Sequence, residues 1–248
     1  MTPDLLIACF DDAARAVREA VTRIDGEGLR TRTEVAGQYA LDLAADAAAL
    51  GVLEQLPVRI VSEESGVHER DGASITVVLD PVDGSTNCAR GISYWGTSIC
   101  ALDGDGALAA LVVNHASGTT TTAVRGKGTQ RDGTRVRASS VQRVEDGVIA
   151  ITGPLHHPLP WKQFRSLGCI ALTLCDVAAG GLDGSIDAAA YHAPWDYLGG
   201  YLACVEAGAV LRDASGADLV TADPNARRQL VSAATDALAD ALMPAVRA

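Results

Sequence analysis

The sequence predicts a mixed α/β fold in two parts, an N-terminal α+β part over residues 1–152 and a smaller α/β part over residues 153–248. Three observations carry that expectation. Apolar residues at helical spacing open the chain, short β-like runs separated by glycine turns fill its middle, and helix and strand patterns alternate towards its end.

Leu6, Phe10, Ala13, Val17, Val21 and Ile24 recur at helical spacing and predict an amphipathic helix ending near Gly26. The Ala- and Leu-rich stretch from Tyr39 to Leu56 predicts a second helix, stopped before Pro57, with Asp42 and Asp46 on one face at i and i+4. Val58 to Val61 reads as a strand running into Ser62-Glu63-Glu64-Ser65-Gly66, and Ile75 to Leu79 as a buried strand. Trp95–Leu102, Leu108–Asn114, Thr119–Val124 and Thr134–Arg137 follow, separated by Gly-Asp-Gly, Ser-Gly, Gly-Lys-Gly and Asp-Gly turns, and together predict an antiparallel meander. The loop from Gly153 to Pro160 marks the boundary between the two parts. Beyond it lie Ile170–Ala179, Ser185–Ala188, Trp195–Ala207, Ala209–Arg212, Gln229–Ala233 and Thr235–Val246.

At 248 residues and 48% hydrophobic composition, the chain can bury its own core. Its six cysteines include no C-x-x-C pair and no zinc-ligand spacing, so free buried thiols in a reducing compartment are expected. No basic leader and no apolar stretch of membrane length is present, which predicts a cytoplasmic protein with no membrane partner. A net charge of −11 argues against a nucleic-acid backbone as partner, because such binders present a basic face. It does not argue against a small anionic substrate, since bound divalent cations reverse the local sign.

The most informative segment is Asp80-Pro81-Val82-Asp83-Gly84-Ser85-Thr86-Asn87, placed directly after the Ile75–Leu79 strand. Taken by itself it has the composition of a surface turn. At the C-terminal end of a strand, however, it sets two carboxylates on a rigid turn, followed by backbone amides that face an anion if a helix starts there. Carboxylates bind hard cations and amides bind phosphate, so the pattern points to Mg²⁺ bridging the protein and a phosphate ester. Glu63 after a strand and Asp196 in Trp195-Asp196 are the other acidic candidates, although spacing alone does not bring Asp196 to the rest.

Ser62-Glu63-Glu64-Ser65, Asp80 to Asn87, and Trp195-Asp196 followed by Glu206-Ala207-Gly208 resemble, in order, the three signatures of the inositol monophosphatase family of Mg²⁺-dependent phosphatases. The resemblance runs from about Arg32 to Gly216. It implies a sugar-phosphatase fold, a layered αβαβα sandwich, and a homodimer. It also implies that Glu63, Asp80 and the Val82 carbonyl hold one metal, while Asp80, Asp83 and Asp196 hold a second. Two or three Mg²⁺ per site are implied, with Mn²⁺ as a substitute. The Gly84 and Ser85 amides would hold a small phosphorylated substrate, with Thr86 beside them, Glu63 and Ser85 would orient the attacking water, and Asp42 would orient Ser85. Related activities on the same site are those of fructose-1,6-bisphosphatases, 3′(2′),5′-bisphosphate nucleotidases and histidinol-phosphatases. A regulatory member acting through a protein partner is the non-enzymatic alternative.

The chain departs from that pattern in two places. Ala36 to Leu41 replaces the usual Asp-x-Val-Thr stretch, and no lysine precedes it, leaving Arg30 and Arg32 as its replacements. Ahead of Trp195-Asp196 the substrate-contacting glutamate is missing and Ala189 stands at the nominal position, so Asp187 and His192 become the substrate-binding candidates, with Gly168 and Cys169 lining the pocket beside Ile170. His156 and His157, in the boundary loop, could reach a substrate, although surface histidines are commoner in such loops. Haloacid-dehalogenase-type chemistry is a poorer match, because it needs Asp-x-Asp where this chain has Asp-x-x-Asp.

Overall fold

Thr2 accepts a hydrogen bond from the Leu5 amide and Pro3 follows it, so the chain enters α1 (Pro3–Thr22) through a capped first turn. Leu6, Phe10, Ala13, Val17 and Val21 of this helix are buried as their spacing predicts. The structure, a computed structural model, describes residues 1–155 and 159–246. His156 and His157 lie outside the described residues.

A second helix, α2 (Ala40–Leu53), lies alongside α1, and the chain then alternates into β1 (Arg59–Ser62), β2 (Gly66–His68) and β3 (Thr76–Asp83). After the short helix α3 (Ser85–Arg90), the predicted meander runs through β4 (Gly96–Asp103), β5 (Gly106–Asn114), β6 (Thr120–Val124), β7 (Gly128–Arg131) and β8 (Thr134–Val136). These strands form one sheet in the order β2-β1-β3-β4-β5-β6-β7-β8. Only the β1–β3 pair is parallel.

The remaining elements are β9 (Val148–Thr152), β10 (Gln163–Arg165), α4 (Ile170–Ala178), β11 (Gly184–Asp187), α5 (Pro194–Ala207), β12 (Val210–Asp213), β13 (Leu230–Ala233) and α6 (Asp236–Leu242). Their strands form a second sheet in the order β10-β9-β11-β13-β12. The change of sheet falls between Val136 and Val148, upstream of the boundary expected at residues 153–160.

The layering follows from which face each strand residue takes. Val77, Leu79, Ile99, Ala101 and Leu111 pack with α1 and α2, whereas their neighbours Val78, Cys100, Ala110 and Val112 pack with α4 and α5. Ala150, Leu211 and Leu230 of the second sheet join that same central layer, and Ile149, Ile186, Val231 and Ala233 turn the other way onto α6. The result is the αβαβα sandwich that the family resemblance implies. Burying each large aliphatic side chain contributes about 1.5–3 kcal/mol.

Close approach in the central layer depends on two glycines of α5. A Cβ on Gly199 would lie 2.6 Å from Ser98 Oγ, and one on Gly200 would lie 2.4 Å from Leu174 Cβ. Their absence lets α5 sink between the first sheet and α4, and this seats the N-terminus of α5, with Asp196, beside the end of β3.

Strands β2, β7, β9 and β10 are additions to the predicted set. Strand β10 is exposed throughout and has no apolar pattern to read. The Val148-Ile149-Ala150-Ile151 run of β9 does carry a strand-like apolar signal. All six cysteines are free thiols.

Candidate metal and phosphate site

Strand β3 pairs with β4 up to Asp80–Ser98 and again at Asp83–Gly96, and the ladder skips Pro81 and Val82. Thr97 fills the gap by donating its hydroxyl to the Pro81 carbonyl at 2.7 Å. Having spent its proton there, Thr97 Oγ1 accepts from His115 Nε2, also at 2.7 Å, which assigns the ring its Nε2–H tautomer. Burial, with a smaller push from Arg18, pulls His115 down to about 4, so it is neutral at pH 7. Neither Thr97 nor His115 is singled out by the sequence, since their role arises only from strand pairing.

Gly84 then takes φ +85°, and a Cβ there would meet the Gly168 carbonyl at 3.1 Å and the Tyr94 carbonyl at 3.2 Å. This turn starts α3 at Ser85. Asn87 clamps it by donating Nδ2 to the Tyr94 and Leu167 carbonyls, each at 2.8 Å. The bulge, the glycine and the clamp together aim the Asp80 and Asp83 carboxylates into a cleft of about 510 Å³, lined also by Asp42, Glu63, Val82, Gly84, Ser85 and Asp196. A larger cavity of about 760 Å³ lies at β12 and α6, where Arg212 is paired with Asp236 and Asp240.

Glu63 reaches the cleft from the end of β1 and is held to β3 by its amide on the Leu79 carbonyl at 3.1 Å. Asp196 comes from the first turn of α5, where its Oδ2 accepts from the Ala193 amide at 2.6 Å. One oxygen from each of Glu63, Asp80 and Asp196 lies within 4.8 Å of the others. Asp80 is 1% exposed, and its Oδ1 has no hydrogen-bond partner among the described residues. Loss of water and mutual repulsion hold Asp80 and Glu63 well above the usual carboxylate range. Such a crowd of oxygen donors with an unpartnered buried atom fits a hard divalent cation.

Asp83 is anchored separately: its Oδ2 accepts from the Ala171 amide at 2.6 Å and from Cys169 Sγ at 3.1 Å, at the start of α4. Burial and then Asp196 raise its carboxyl to about 6, against the lowering effect of those two donors and of His192. Asp42 is 3% exposed and accepts from the Tyr39 amide at 2.8 Å, leaving Oδ1 without a partner among the described residues. Burial raises it to about 7, opposed by the Tyr39 amide and reinforced by Glu64.

Other sequence candidates take different places. Gly168, Cys169 and His192 line a small adjoining cavity of about 140 Å³ that shares Asp83 and Asp196 with the main cleft. Thr86 lies 3.3 Å from the Tyr39 hydroxyl and does not line the cleft. Asp187 is 1% exposed and caps a turn, its Oδ1 accepting from Ala189 at 2.8 Å and Ala190 at 3.2 Å, while Oδ2 has no hydrogen-bond partner among the described residues. It does not line the cleft, because β11 carries it into the protein. His192 sits between them, with Nδ1 3.5 Å from Asp196 and Nε2 3.7 Å from Asp187. Burial pulls it down, but Asp196, Asp187 and Asp83 outweigh that and leave it raised. Arg30 and Arg32 do not line the cleft; Arg30 donates to the Ala89 carbonyl, and Arg32 donates to the Tyr39 hydroxyl and stacks on its ring. Arg227, which the sequence reading passes over, does line it.

The family model of the inositol monophosphatase family matches residues 7–248. The chain belongs to the inositol monophosphatase family. It is 30% identical over 181 residues to a fructose-1,6-bisphosphatase of Pyrococcus furiosus, covering 72% of this chain and 71% of that one. It is 31% identical over 208 residues to Nus factor SuhB of Escherichia coli K12, covering 74% and 76%. A solved Pyrococcus horikoshii structure, described as having similarities to inositol-1 monophosphatase, superposes with a TM-score of 0.89 over 98% of this chain and 99% of its own. At 24% identity that likeness speaks for the fold alone. Among the described residues no helix is long and apolar enough to cross a membrane.

Proposed function

We propose that this family member is a Mg²⁺-dependent phosphomonoesterase acting on a small sugar, polyol or related phosphate, with Mn²⁺ able to replace Mg²⁺. The observation that carries the reading is the convergence of Glu63, Asp80 and Asp196 next to Asp83 and the Gly84-Ser85 turn. Glu63, Asp80 and the Val82 carbonyl would hold one ion, and Asp80, Asp83 and Asp196 a second. When bound, such ions neutralise phosphate charge and lower the pKa of water. The Gly84 and Ser85 amides take the phosphate oxygens. Glu63 draws a proton from the attacking water while the Ser85 hydroxyl, oriented by Asp42, holds that water in line. Gly168, Cys169 and His192 border the alcohol part of the ester.

Likeness to Nus factor SuhB supports a second reading, a regulatory protein that works through a protein partner. The complete carboxylate set favours catalysis, and the net charge of −11 disfavours a nucleic-acid partner. A cytoplasmic homodimer is part of the same proposal. The test is phosphate release from inositol 1-phosphate, fructose 1,6-bisphosphate, histidinol phosphate and adenosine 3′,5′-bisphosphate, with Mg²⁺ and with EDTA. Turnover that needs the metal is expected, and silence across the panel with Mg²⁺ present would favour the regulatory reading.

A further inference from the structure

Arg227 is the only cationic side chain lining the carboxylate cleft among the described residues. Several guanidinium groups of this acidic protein meet carboxylates, as in Arg125–Asp103 at 2.8 Å and Arg131–Asp176 at 3.0 Å. Arg227, like Arg30, Arg32 and Arg228, meets none among the described residues. Its Nη1 donates to the Pro224 carbonyl at 2.9 Å and the Ala226 carbonyl at 2.8 Å, and its guanidinium lies 5.5 Å from the centre of the Trp195 ring. Both hydrogen bonds use one nitrogen. The other edge of the fork, Nε and Nη2, takes no protein acceptor among the described residues.

The backbone behind Arg227 is tied down. The Arg228 amide donates to the His192 carbonyl at 2.8 Å, forming an isolated bridge between the two residues, and the Arg228 guanidinium grips the Asp218 carbonyl at 2.9 and 2.7 Å. Arg227 is thereby fixed beside Trp195-Asp196 and next to the turn that ends at His192. A guanidinium held at one edge and stacked on an indole presents a pre-oriented pair of donors, a geometry that matches phosphate oxygens.

We propose that Arg227, stacked on Trp195, is the subsite for a second phosphate on the substrate, and that it selects bisphosphates over monophosphates. The inference rests on the phosphatase reading for the position of the first phosphate, which the metal ligands and the Gly84-Ser85 turn occupy. With that position filled, the cleft keeps one unneutralised cation, and a second anionic group on the same molecule is what it can take without an acidic protein partner to displace. The neutral wall of Trp195 raises the strength of that contact by shedding water from one face of the guanidinium.

The experiment compares wild type, Arg227→Gln and Arg227→Lys on fructose 1,6-bisphosphate and fructose 1-phosphate with saturating Mg²⁺. The ratio of kcat/KM for bisphosphate over monophosphate is expected to fall about tenfold in Arg227→Gln, through KM, with partial recovery in Arg227→Lys. A preserved ratio overturns the subsite. Hexane-1,6-bisphosphonate and hexylphosphonate, which cannot be hydrolysed, supply a readout without turnover by calorimetry in Mg²⁺. The bisphosphonate is expected to bind wild type about tenfold more tightly than the monophosphonate, with that advantage lost in Arg227→Gln. Equal affinities in wild type, or an advantage that survives the substitution, overturn the proposal. Wild type that turns over no ester but keeps the Arg227-dependent phosphonate preference sinks the phosphatase reading and leaves the subsite standing.

Discussion

Two turns border the cleft, and they are built in opposite ways. The Asp80–Asn87 turn is a contiguous device: a strand, a two-residue skip in the ladder, one left-handed glycine and a short helix, each in chain order. The turn from Asp187 to Asp196 is assembled from outside, with Asp187 Oδ1 accepting from the Ala189 and Ala190 amides and His192 held against Arg228 from a distant segment. Local geometry thus shapes the Asp80–Asn87 side of the cleft, while contacts between separate segments shape the side that carries Trp195 and Asp196.

Asp83→Asn tests the first half of that comparison most strongly. Under the proposed two-ion arrangement, removing one carboxylate is expected to lower Mg²⁺-dependent phosphate release by about a thousandfold or more. Near-normal turnover by the purified variant would break the comparison, because the contiguous turn would not then carry the reaction.

Metal removal is expected to have the next largest effect. In the folded protein Asp83 keeps its proton up to about 6 and Asp42 up to about 7, against 3.8 for both when unfolded. The folded state therefore binds more protons in between, so this contribution to stability is full below pH 3.8 and lost as pH rises through 6 and 7. In EDTA the thermal midpoint should fall as pH rises from 4 to 8 from this source, and Mg²⁺ should raise it most at the alkaline end. Calorimetry showing the same profile with and without Mg²⁺ would remove the ion from these carboxylates.

Thr97→Val probes the support under the first turn. It strands the Pro81 carbonyl in a buried place and is expected to cost about 1–3 kcal/mol in urea unfolding, with Thr97→Ser restoring most of it. Asp187→Asn should do least: the amide oxygen still caps Ala189 and Ala190, so stability should change by less than about 1 kcal/mol and kcat/KM by less than about fivefold. A collapse as deep as that of Asp83→Asn would move Asp187 into the chemistry and erase the contrast between the turns.

Much of the fold was legible because its signals are periodic. Helix α1 buries the residues whose spacing announced it, and the glycine turns of the meander fall between its strands. Strand β10 escaped notice because all three of its residues are exposed and it has no alternation to read. In the cleft, Glu63, Asp80, Asp83 and Asp196 were legible as motif residues, whereas Arg227 belongs to an irregular polar stretch, Ala222 to Arg228, that resembles any surface loop. Thr97 and His115 look in sequence like ordinary strand-end residues.

The sequence by itself marked the Asp80–Asn87 turn, since the apolar strand before it, the proline and the glycine constrain neighbouring dihedrals, while Thr97 and the Leu167 carbonyl hold it from other segments. It also determined which strand residues face which layer, through alternation at a period of two. Only the tertiary structure decided that Asp196 would join Glu63 and Asp80, because that depends on Gly199 and Gly200 letting α5 settle between sheet and helix. Packing likewise decided that Asp187 would turn inward and that Arg227 would stand over Trp195, since residues far apart in the chain meet only where the layers that carry them come together.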